Sequence, residues 1–235
     1  MPAILFGSIS TIADTSELQR QAFNQAFKAH GLDWDWHREE YLTMLENSGG
    51  QNRIADYADS IGQTVDAETI HRSKSEFFQN SLTESQLQPR SGVVETIQSA
   101  KIKGLKIAFV TTTAQENISL LMAALHPIIQ VNDFDLITNA DRIDRPKPDK
   151  AAYTFALEKL GEKPDNCIAI EDNLGGLESA ISAGLDCIAF PNQNTAHHDF
   201  NRAKHLVDRL DFDDLQKFLA SNSNKRSSKL YSNKL

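Results

Sequence analysis

Four short apolar runs, each closed by small or polar residues, constrain this chain more than any other feature. They are Ala3–Phe6, Leu105–Val110, Cys167–Ile170 and Cys187–Phe190. Runs this short, nearly unbroken in their apolar character, suit strands covered on both faces. Helix-period segments separate the later runs: 93–103, 116–124, 149–160, 176–183 and 213–220. A further strand is expected over Phe134–Ile137. Repeated strand–helix units build a parallel sheet with helices on both faces. Between the first run and Pro89 the pattern is helical only, over 16–30, 39–46, 51–61 and 66–82. Ser16 with Gln19 fits a capping box for the first of these helices, and Asp149 fits an N-cap for the helix that follows it. The expected organisation is an α/β core from residues 1–15 and 89–220, a helical insert over 16–88, and a polar tail, 221–235, without stable structure.

The chain has 235 residues and a formal net charge of -8. An acidic balance disfavours nucleic acid and anionic membranes as partners. No apolar run approaches the roughly 18 residues of a membrane span. The first residues lack a basic stretch followed by an apolar one, so a cytoplasmic location is expected. Cys167 and Cys187 lie inside strand-like runs, where buried, reduced thiols are the expected state.

Ligands of open α/β sheets bind at the carboxyl ends of the strands, so the residues closing each run matter most. Gly7-Ser-Ile-Ser-Thr-Ile-Ala-Asp-Thr15 follows the first run, Thr111-Thr-Thr113 the second, and Glu171-Asp172-Asn173 the third. Arg145-Pro-Lys-Pro-Asp149 precedes a helix. A threonine after a strand is equally a helix cap, and Gly175, Gly176, Ala180 and Ala183 equally serve close helix–sheet packing. The paired acids Glu171 and Asp172 have no such packing explanation.

Taken together, these segments resemble the haloacid dehalogenase (HAD) superfamily of phosphatases. The first motif of that family reads Asp-x-Asp-Gly-Thr-Leu, and its frame survives here as Leu5, Phe6, Thr11, Ile12, Asp14 and Thr15. Val110-Thr-Thr-Thr-Ala-Gln-Glu-Asn-Ile-Ser-Leu-Leu121, Gly31-Leu-Asp-Trp-Asp-Trp-His-Arg-Glu-Glu-Tyr41 and Gly49-Gly-Gln-Asn-Arg-Ile54 look like its CbbY branch, which includes phosphatases of sugar bisphosphates. The resemblance implies a HAD-like Rossmannoid sheet core with an inserted helical cap. It implies a Ser/Thr and a lysine holding phosphate, here Thr111, Thr112 and, aligned on both prolines, Arg145 in the lysine position and Lys147 in the variable one. It implies Tyr41, Gly50 and Arg53 near substrate in the cap, with Trp34 and Trp36 as packing. It implies Glu171 and Asp172 as ligands of Mg²⁺. Relatives often carry a histidine at the position of Gln19.

The reactive carboxylates are missing. Gly7 stands at the position of the nucleophilic aspartate and Ile9 at that of the acid/base aspartate. Groups that act as one unit lose most of their catalysis together. The expectation is a HAD-like homologue without hydrolysis that binds a phosphosugar or inorganic phosphate, with Mg²⁺ held weakly or not at all and a monomer as the favoured state. The alternative is a Mg²⁺-dependent phosphatase with relocated acids. Anion binding at the strand ends is expected to persist. Reinstating aspartates at Gly7 and Ile9 is expected to return measurable activity.

Overall fold

The computed structural model describes residues 1–45 and 49–221. Its six strands are β1 (Ala3–Phe6), β2 (Lys106–Phe109), β3 (Leu136–Ile137), β4 (Cys167–Glu171), β5 (Asp186–Ala189) and β6 (His205–Leu206). All are parallel, in the order β3-β2-β1-β4-β5-β6. The first strand is therefore central, and Phe6 pairs in register with Phe109 on one side and Ile170 on the other. The carboxyl ends of β1, β2 and β4 thus meet at one edge.

The period-2 character of a strand sorts each run onto two faces. Ile4, Phe6, Ile107, Phe109, Ile168, Ile170 and Ile188 lie on one face. They pack against α6 (Val93–Ile102), α7 (Gln115–Leu125) and a last helix over 212–221. Ala3, Leu5, Ala108, Cys167, Ala169, Cys187 and Ala189 form the other face, under α8 (Ala151–Leu160) and α9 (Leu174–Ser182). The Ile-Ala alternation thus gives one bulky and one shallow face, and the shallow one admits the fully buried ring of Tyr153. Both cysteines are buried, and burial pushes the Cys167 thiol up to about 12.

After β1 comes a single turn, α1 (Ile9–Ile12), capped by the Ser8 side chain. The helices α2 (Ser16–Ala29), α3 (Arg38–Met44), α4 (Gly50–Ser60) and α5 (Ala67–Glu84) follow without a strand among the described residues. They enclose a core of their own, with Phe23, Phe27, Trp34, Trp36, Tyr41, Ile54 and Ile70 buried together. The Trp36 ring lies 4.6 Å from Phe27 and 4.9 Å from Phe23, so both tryptophans serve packing. Where the chain returns to the sheet, Gly92 adopts φ +82° and lies tightly against the carbonyl of Leu210.

Several local expectations change. The Ser16–Gln19 capping box does not form: Asp14 accepts the Ser16 N–H, and Gln19 turns to Lys74. Lys150, not Asp149, holds the N-cap position of α8, although Asp149 accepts the Ala151 N–H. The turn α1 and the edge strand β6 are too short to have left a periodicity in the sequence. Beyond residue 221, the expectation for the tail falls outside the described residues. No described helix is long and apolar enough to cross a membrane.

Candidate functional site

Two clusters bring together most of the expected residues. The first lies at the carboxyl ends of β1, β2 and β4. Lys147 is central to it, with its side chain only 10% exposed. Its ammonium donates to the Gly7 carbonyl, to the Val110 carbonyl at 2.8 Å and to Glu171 Oε1 at 2.5 Å. Arg145 is elsewhere: its side chain is 69% exposed and pairs with Asp149 at 3.0 Å. Of the two cations expected in this loop, the strand ends hold Lys147, and Arg145 lies outside the cluster. Two strand ends present carbonyls and the third a carboxylate, and the compact lysine ammonium donates to all three.

Glu171 is fully buried, and its Oε1 also accepts from the Tyr153 hydroxyl at 2.7 Å. Burial holds its carboxyl above the usual range, opposed by Lys147, and burial likewise pushes the Tyr153 phenol well up. Among the described residues Glu171 Oε2 has no hydrogen-bond partner, and it lies tightly against Gly176. Beside it, Asp172 Oδ1 accepts from Ser8 Oγ at 2.6 Å and Asn173 Nδ2 at 2.8 Å, while Oδ2 accepts from Asn192 Nδ2 at 3.0 Å. Ile9 is buried with the bulky sheet face. Thr111 is buried, its hydroxyl accepting from the Thr113 N–H and its own N–H donating to Thr138. Thr112 is half-buried.

The resemblance implies Mg²⁺ at Glu171 and Asp172, and the donor set meets it only in part: of the four carboxylate oxygens, Glu171 Oε2 alone has no hydrogen-bond donor among the described residues. Magnesium uses carboxylate oxygens left open to it, in octahedral geometry with waters. Here one carboxylate is engaged by an ammonium and a phenol, and both oxygens of the other by Ser8 and two asparagines. Among the described residues no three His, Cys, Asp or Glu side chains converge as metal ligands.

The second cluster lies inside the cap. Tyr41, Gly50 and Arg53 are brought together there with Phe23, His71 and Lys74. The Arg53 guanidinium sits 5.6 Å from the Tyr41 ring centre and 5.9 Å from that of Phe23, and its Nε donates to the Met44 carbonyl at 3.0 Å. Gly50 lies so close to His71 Nε2 that a Cβ there would come within 3.0 Å of it. Lys74 is 7% exposed, with its ammonium 4.8 Å from the Phe23 ring centre and 5.1 Å from that of Phe78. It donates to Gln19 Oε1, and no carboxylate among the described residues bonds it. Burial, with Arg53 adding, brings the Lys74 ammonium down to about 7. Burial, with Lys74 and Arg53 adding, brings His71 down to about 4. A buried cation held by one amide and two ring faces suits an incoming anion.

Sequence reasoning missed Lys74 and Tyr153, and both had left a signal. Lys74 interrupts the apolar stripe Ile70, Phe78, Leu82 of α5 at a spacing of four. Such a stripe faces the interior, so a lysine within it is buried. Tyr153 stands on the inward face of α8 with Ala152, Ala156 and Leu157.

Residues 6–190 match the haloacid dehalogenase-like hydrolase family. The chain is 38% identical over 211 residues to protein CbbY of Cereibacter sphaeroides, covering 88% of this chain and 91% of that one. It is 27% identical over 192 residues to the phosphorylated carbohydrates phosphatase of Thermotoga maritima, covering 80% and 84%. In three dimensions it is similar to CbbY from Rhodobacter sphaeroides in complex with phosphate, with a TM-score of 0.79 and 38% identity over 89% of this chain and 95% of that one. An aspartate-to-asparagine variant of that CbbY, in complex with xylulose-(1,5)bisphosphate, gives the same values.

Proposed function

From the premise that this chain belongs to the haloacid dehalogenase-like hydrolase family and is a CbbY-type homologue, we propose that it binds a phosphorylated sugar through its cap and does not hydrolyse it through an aspartyl phosphate. Lys74 carries this reading. It is a buried ammonium with an amide and two aromatic rings as its partners, beside Arg53 and His71, and an anionic group would supply the charge that its surroundings lack. The binding of phosphate and of xylulose bisphosphate by the similar CbbY supports a phosphosugar as the class of ligand.

The absence of hydrolysis rests on two positions. Gly7 has no side chain with which to attack phosphorus, and Ile9 can neither give nor take a proton. Attack and proton transfer serve the same displacement, so the loss of both leaves only binding.

Isothermal titration with a panel of sugar monophosphates and bisphosphates, run beside a phosphate-release assay with and without Mg²⁺, tests both halves. The expected result is saturable binding of at least one phosphosugar, at least tenfold weaker in Lys74→Met, with no release above background. Turnover that is lost in Asp172→Ala refutes the second half and establishes relocated acids. Absence of binding across the panel refutes the first.

A further inference from the structure

The ammonium of Lys147 has three N–H donors, and the structure uses all three: Gly7 O, Val110 O and Glu171 Oε1. No donor is left for a ligand. The partner carboxylate is equally enclosed. It sits between two residues without side chains, and a Cβ on either Gly7 or Gly176 would come closer than 3.0 Å to it. A Cβ on Gly7 would also come closer than 3.0 Å to the Tyr153 hydroxyl. The space that a side chain at position 7 needs is thus taken by Glu171 and Tyr153, both fully buried.

We infer that Glu171 is a built-in anion that plugs the strand-end pocket and competes with phosphate for Lys147. Formal charges support this. Lys147 contributes one positive charge there and Glu171 and Asp172 two negative ones, with the Arg90 guanidinium near Asp172, so the ammonium that an incoming anion would need is already engaged by a carboxylate. The expectation that Lys147 would bind phosphate directly is thereby altered, as is the expectation that aspartates at positions 7 and 9 restore activity. A new carboxylate at position 7 would enter the space of Glu171, where two like charges repel at close range. This goes beyond the proposed function and rests on it only for the identity of the anion.

The test is titration of inorganic phosphate into wild type, Lys147→Met, Glu171→Gln and the double variant, followed by calorimetry. The expected wild-type affinity, at whatever site it arises, changes less than twofold in Lys147→Met. Glu171→Gln is expected to gain phosphate binding at least tenfold, and the double variant to lose that gain. A tenfold loss in Lys147→Met, or no gain in a folded Glu171→Gln, overturns the inference. If wild type binds no phosphate at all, the gain in Glu171→Gln remains the deciding result, separate from the cap reading. Should Glu171→Gln fail to fold, the wild type suffices: amine-reactive labelling read by mass spectrometry is expected to leave Lys147 unmodified with or without phosphate. Labelling of Lys147 that phosphate suppresses overturns the inference.

Discussion

Replacing Lys74 by methionine should make the protein more stable at neutral pH and weaken its phosphosugar binding at least tenfold, and the gain in stability should shrink as the pH rises. Burial lowers the pKa of this ammonium from 10.5 to about 7 in the folded chain, while the unfolded chain keeps the ordinary value. Between these limits the unfolded state binds more protons, so wild-type stability rises with pH across that interval. At about 1.36 kcal/mol per pH unit, the interval from 10.5 to about 7 amounts to roughly 5 kcal/mol. Methionine keeps an unbranched chain of similar volume and favourable contacts with Phe23 and Phe78 without the charge. Urea unfolding of wild type and Lys74→Met at intervals from pH 6 to 10.5 measures the difference directly. The variant should lead by several kcal/mol at pH 6 to 7 and lose most of that lead by pH 10. Over the same range, wild-type affinity for a phosphosugar should fall as the pH passes about 7, because only the charged ammonium attracts the anion. Two parallel stability curves, separated by a constant amount, would refute the account of Lys74 as a buried and uncompensated cation.

Gly92→Ala should destabilise by at least 1–3 kcal/mol in urea unfolding, because φ is +82° and a Cβ would overlap the Leu210 carbonyl. Thr138→Val should cost about 1–3 kcal/mol, because the Thr138 hydroxyl accepts from the Thr111 N–H at 2.9 Å and donates to the Thr111 carbonyl at 2.7 Å, and both groups are left without a partner. Asn173→Ala should cost about 1 kcal/mol through loss of the cap on Gly176 N–H, read as a lower urea midpoint at unchanged slope.

The class of fold and the seat of the strand-end cluster were legible in the amino-acid order. Short apolar runs separated by helix-period segments point to a covered parallel sheet, and that pattern is local; the division into one bulky and one shallow face came with the structure. Strand ends are local too, so Gly7, Thr111 and Glu171 could be expected at one edge before any coordinates. The choice between Arg145 and Lys147 was not local. Both are cations two residues apart in one loop, and only the packed strand ends, where the Gly7 and Val110 carbonyls accept from one ammonium, distinguish them. The role of Glu171 also required the tertiary structure. In the chain it is one of two adjacent acids and resembles a metal ligand. Across the sheet it meets Lys147 and Tyr153, 24 and 18 residues away, in space opened by two glycines. Lys74 lies between these cases: the spacing of α5 marks it as buried, and the neighbours that leave it without a carboxylate come from α2 and the rest of the cap. Burial follows from periodicity along one element. Charge compensation depends on which side chains other elements bring within a few ångströms, and no local pattern encodes that.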